Sequence, residues 1–176
     1  MSVKTVKNLI DTGLLDDKKI FTTNKQYKRF LRPRSKQSHF KPEGLWYAIG
    51  GSWLEWCIGE DFGGTGKYVY EVKLNPKANI LFLSTPDDVF SFSEKYRRTD
   101  SYFAKFPSIH IDWQRVLEDY DGIEVNPYFY ELRLTHNLIW YYGWDVPSGC
   151  FWKANAKKKI TLLVEYDYKK NGYVIL

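Results

Sequence analysis

The chain has 176 residues, 44% hydrophobic and 27% charged, which suits one domain with a sizeable core and excludes a disordered or fibrous class. Its two cysteines, Cys57 and Cys150, make no disulfide framework, the histidines His39, His110 and His136 show no zinc-site spacing, and no apolar run approaches the ~20 residues of a membrane span. A net charge of +5 permits an anionic partner without demanding one, and the expected setting is soluble, cytoplasmic and reducing, with no metal and no membrane.

Val6, Leu9, Ile10 and Leu14 recur at helical spacing and predict an amphipathic helix stopped near Gly13. A strand is expected over 18–22, then a turn of helix over 27–31 capped by Asn24, then a polar loop from Arg32 to Ser38. From Lys18 to Lys41 the chain carries nine basic residues and no acidic one. That run fits either a solvated surface or a face for an anion.

The stretch from Lys41 to Cys57 organises the rest. Pro42 and Gly44 set a turn, Leu45 to Ile49 reads as an apolar strand, and Gly50-Gly51 ends it. Ser52 is placed to cap a short helix carrying Trp53, Trp56 and Cys57. Aromatic content is 18%, and these indoles serve either as core or as the flat walls of a ligand cleft.

Asp61 to Gly66 is a glycine-rich loop, and 68–74 alternates as a strand does. After Asn75-Pro76 a second, more buried strand is expected over 79–83. Ser84-Thr85-Pro86-Asp87-Asp88 starts a helix that runs to about Tyr96. Asp112 starts another, with Trp113, Val116, Leu117 and Tyr120 on one face, and Ile123 to Val125 follows as a short strand. Leu138 to Tyr142 reads as strand-like, and Trp144 to Trp152 as an aromatic, turn-rich stretch. Strands over 160–168 and 173–176 flank the hairpin signal Asn171-Gly172.

No Walker loop and no G-x-G-x-x-G is present, and Gly63-Gly64-Thr65-Gly66 lacks the lysine of a phosphate loop. Cys150 with His136 as base would suit a nucleophile; an inert buried thiol is the alternative.

Gly44-Leu45-Trp46-Tyr47-Ala48, Val69-Tyr70-Glu71-Val72 with Pro76 and Leu81, and Tyr120-Asp121-Gly122-Ile123 occur in an order that resembles the ADP-ribosyltransferase-like superfamily, over about residues 28 to 165. The resemblance implies an α+β single domain in which two small, mostly antiparallel sheets form a cleft with flanking helices. It implies NAD as substrate and a protein or nucleic-acid acceptor for the ADP-ribose. A strand and a helix, here Gly44–Cys57, would flank the NAD cleft.

By the same resemblance Arg29, Arg32 and His39 compete for the basic role of the first strand, and Arg29, Arg32 and Arg34 would face the pyrophosphate. The implied catalytic set is Asp145, Arg32 and Tyr47, and the implied NAD-binding set is Arg29, His39, Gly44, Trp46, Trp53 and Trp56. The stretch Val146 to Phe151 lacks the family's glutamate, so Asp145, the nearest upstream acid, is the candidate to stabilise charge on the ribose. A turn role is the alternative for Asp145. Two rival functions stand beside transfer: a catalytically silent module of the same fold, and a nucleic-acid binder using Lys18–Lys41.

Overall fold

Eight strands pair into one mixed sheet in the computed structural model, in the order β4-β5-β6-β2-β1-β3-β7-β8. The strands are β1 (Lys19–Thr23), β2 (Leu45–Ile49), β3 (Tyr68–Leu74), β4 (Ile80–Leu83), β5 (Gly122–Val125), β6 (Ser148–Phe151), β7 (Lys157–Asp167) and β8 (Gly172–Ile175). Five helices accompany them among the described residues: α1 (Val3–Asp11), α2 (Ser52–Gly59), α3 (Pro86–Lys95), α4 (Trp113–Asp119) and α5 (Tyr130–Arg133). The structure describes residues 3–31, 33, 40–100, 102–135 and 137–176. The expected loop at 32–38 lies outside them except for Pro33, as do His39 and His136.

The α+β class is as expected, but the sheet is continuous where two smaller sheets were anticipated. A seam nevertheless runs through it. β1 pairs with β2 only at Lys19↔Ile49 and Ile20↔Ala48. Beyond Ile20 the two strands part: Phe21 to Thr23 pair with β3, and Leu45 to Tyr47 pair with β6. Only β4 and β5 run parallel.

Strand alternation divides the apolar side chains between two faces. On one face, β4, β5 and β6 support a large aromatic core closed by α3 and α4, containing Phe92, Trp113, Trp140, Tyr141, Trp144 and Trp152. On the same face, across the seam, α1 and α2 cover Ile20, Val69 and Val164 with Val6, Leu9 and Leu54. The opposite face gathers Leu45, Tyr47, Val72, Phe151 and Ala156.

Several local expectations are corrected. The segment 27–31 forms no helix; Tyr27 instead takes a backbone hydrogen bond from its N–H to the Tyr70 hydroxyl and packs on Phe21. β4 is an edge strand with Phe82 more than half exposed, so the run 79–83 is less buried than its composition suggests. Leu138 to Tyr142 is no strand: Leu138, Trp140 and Tyr141 are buried in irregular chain ending in a 3₁₀ turn. Ser52 lies inside α2, and its hydroxyl donates to the Pro147 carbonyl; Gly51 occupies the cap position with no side-chain bond. By contrast, α3 starts as expected, with a reciprocal capping box between Thr85 and Asp88 that satisfies two otherwise unpaired amides. Among the described residues, no helix is long and apolar enough to cross a membrane.

Candidate functional site

The seam opens into a cavity of about 340 Å³ between the aromatic core and the α1–α2 layer. Its origin is visible in the pairing. Ile20 and Ala48 are the last pair before β1 and β2 diverge; beyond them Thr22 on one side and Trp46 on the other have no partner across the seam, and all four line the gap. Trp53 of α2 closes one wall, and Trp144 with Asp145, Val146 and Ser148 closes the other. The size falls in the range of small-molecule sites, which are mostly apolar with a few polar groups that fix orientation.

The indoles are held at defined angles. Trp53 stacks on Trp56, with ring centroids 5.0 Å apart and planes 15° apart, and Phe62 meets both edge-on. The Trp53 indole N–H donates to the Gly64 carbonyl at 3.1 Å, which ties the glycine-rich loop to the cleft. Trp46 meets Trp144 edge-to-face at 4.9 Å and donates its N–H to the Pro42 carbonyl.

Asp145 supplies the cleft's carboxylate. Arg133 holds Oδ1 through Nη2 at 3.1 Å, and Lys41 Nζ lies 3.9 Å from Oδ2. The Lys41 ammonium sits 5.2 Å above the Trp46 ring. Burial pulls the Lys41 pKa below the usual lysine value, and the neighbouring Arg133 adds to this while Asp145 opposes it.

Tyr47 is placed differently from expectation. Alternation along β2 turns its side chain away from Trp46 and Ala48, and its hydroxyl donates to Glu124 Oε2 at 2.6 Å on the opposite face. Lys19 donates to the same oxygen at 2.5 Å. Tyr47, Gly149 and Glu124 are neighbours on three successive strands, and a side chain at Gly149 would collide with the Tyr47 hydroxyl. Burial, with the Glu124 charge behind it, raises the Tyr47 pKa well above the ordinary tyrosine value. Tyr47 is among the residues that line the cavity, but its hydroxyl is engaged by Glu124 on the opposite face and braces the sheet there.

Of the other expected site residues, Trp46, Trp53 and Asp145 come together in the cleft. Trp56 stands behind Trp53 as its stacking support. Gly44 does not line the cavity; a Cβ there would meet the Phe151 carbonyl and the Cys150 sulfur, so its glycine serves strand packing. Arg29 is exposed on the irregular chain after β1, and β1 itself carries neither Arg nor His. Arg32, Arg34 and His39 lie outside the described residues. Cys150 is fully enclosed, and burial drives its thiol pKa far up, which leaves an inert side chain; His136 lies outside the described residues.

Lys41, Arg133, Trp144 and Ser148 were not singled out by sequence reasoning. Lys41 was counted as the end of a basic run and the start of the Lys41–Cys57 stretch, with no role of its own, and Arg133 sits 12 residues before Asp145 in a helix too short to carry a periodic signal. No protein-family model matches the chain, and no curated protein and no solved structure matches it.

Proposed function

We propose that the cleft binds NAD and that the protein transfers its ADP-ribose to a macromolecular acceptor, with nicotinamide leaving. The observation that carries this reading is the opening of the sheet beside the β2–α2 unit, with Trp46 and Trp53 as flat walls and Asp145 at the rim. That is the unit by which the sequence resembles ADP-ribosyltransferases, and here the opening lies within one continuous sheet, where β1 leaves β2. Planar apolar walls suit nicotinamide or adenine.

In the reaction the bond between ribose C1 and the nicotinamide nitrogen breaks, and nicotinamide departs with the electron pair. C1 becomes cationic, an acceptor oxygen, nitrogen or sulfur bonds to it, and the acceptor's proton goes to solvent. The Asp145 carboxylate faces the developing charge, and its link to Arg133 fixes its orientation before the substrate arrives. The same link favours a second reading. Asp145 is already compensated by two cations, which weakens its field at the ribose and suits a module that binds without turnover.

Incubation with labelled NAD, cell lysate and nucleic acid separates the two. Transfer and nicotinamide release by the wild type, lost by about 10²-fold or more in Asp145→Asn, supports the enzyme. Binding without turnover selects the silent module, and absence of NAD binding defeats both.

A further inference from the structure

We propose that Lys41 is the phosphate-binding residue of the cleft, a pre-set ammonium that takes the anionic oxygens of a nucleotide at the rim while the indoles take its ring. The inference rests on the cleft being the ligand site, and it assigns to one residue the role the sequence distributed over Arg29, Arg32 and Arg34.

The first support is how firmly Lys41 is positioned. The carbonyls on either side of it are both pinned by indole N–H groups: Trp113 donates to Phe40 O at 3.1 Å, and Trp46 donates to Pro42 O at 3.2 Å. Its stem lies against Gly143, where any side chain would strike Lys41 Cε at 2.7 Å. Its ammonium rests over the Trp46 face. A lysine normally loses much rotamer freedom when it is fixed; here the surrounding structure has restricted it before a ligand binds.

The second support is charge. Lys41 is the one cation among the described residues lining the cavity. Among the described residues, the ion pairs of Lys41 and Arg133 share one carboxylate, Asp145, so two cations meet one anion there. At 3.9 Å the Lys41–Asp145 contact exceeds hydrogen-bond length, so the ammonium's protons remain available to an incoming oxygen. Its side chain keeps 39% of its surface accessible. A phosphate there would compensate a charge that burial has made costly.

Calorimetry with two ligand pairs tests this: nicotinamide mononucleotide against nicotinamide riboside, and AMP against adenosine. Each pair differs by one phosphate. The wild type should prefer the phosphorylated member of at least one pair by about ten- to a hundredfold, the scale of a charge-assisted contact. Lys41→Met keeps the stem over Trp46, removes the charge, and should abolish the preference while leaving riboside or adenosine affinity within about threefold. Lys41→Arg should restore much of it. Gly143→Ala, which displaces the stem with the lysine still present, should reduce it. A preference that survives in Lys41→Met, or a wild type with no preference in either pair, overturns the assignment. A phosphate preference confined to AMP and adenosine, lost in Lys41→Met, would support it while defeating the nicotinamide reading. A protein that transfers ADP-ribose yet keeps its preference in Lys41→Met would do the reverse.

Discussion

The seven tryptophans divide between two regions that use the same side chain for opposite ends. Trp113, Trp140, Trp144 and Trp152 form the aromatic core and expose 3% or less of their surface. Three of their indole N–H groups are satisfied inside the protein, by Phe40 O, Ser93 Oγ and Tyr120 O. Trp46, Trp53 and Trp56 are only half-buried and surround the seam. Trp144 belongs to both regions, packed in the core and presenting a wall to the cleft. The difference comes from position and not from composition. The core indoles lie where α3, α4 and irregular chain close over β4–β6, whereas Trp46 and Trp53 flank the gap where β1 leaves β2.

Mutations should separate the regions by magnitude. Trp140→Ala removes an enclosed ring and leaves Ser93 Oγ without the N–H it accepts from, so chemical denaturation should register a loss of about 3–5 kcal/mol. Gly149→Val forces Tyr47 off Glu124 and crowds the Ile123 carbonyl at 2.8 Å; denaturation should show about 1–3 kcal/mol, typical of overpacking. Next comes a pH effect. Burial raises Tyr96, Tyr141 and Tyr173 to about 12, so the folded state favours the neutral phenols. The stability they contribute is fully present below the unfolded value near 10 and is lost as pH rises toward 12. Melting temperature should hold up to about pH 10 and fall above it, and a flat profile to pH 12 would contradict the burial assigned to these rings. Smallest is Trp53→Ala, expected to cost roughly 1–2 kcal/mol because the ring is half-exposed. A Trp53 loss as large as that of Trp140 would erase the distinction between core and wall.

Much of this architecture was legible because local signals and packing agreed. The Thr85–Asp88 cap, the Asn171-Gly172 hairpin and the alternation of 68–74 are short-range patterns, and each appears where expected. The cleft was legible in part: Trp46, Trp53 and Asp145 converge, but Tyr47 points the other way. Alternation along Leu45–Ile49 already implied that Trp46 and Tyr47 cannot share a face, so this difference was available from periodicity. The partnership of Lys41, Arg133 and Asp145 was not. It joins residues about a hundred positions apart through Gly143 and two indole hydrogen bonds, and no local pattern encodes such a contact. The buried brace of Lys19 and Tyr47 on Glu124 escaped for the same reason, since Glu124 reads locally as the exposed residue of a strand.

The central claim is that the seam between β1 and β2 is a ligand site walled by the half-buried tryptophans. Titration of NAD into wild type and Trp53→Ala, with the melting curve of each measured alongside, tests it most directly. The account predicts one NAD bound per chain and an affinity at least about tenfold weaker in Trp53→Ala, on the scale of one lost stacking contact, in a variant that still melts cooperatively. Equal affinity in the two proteins would contradict it.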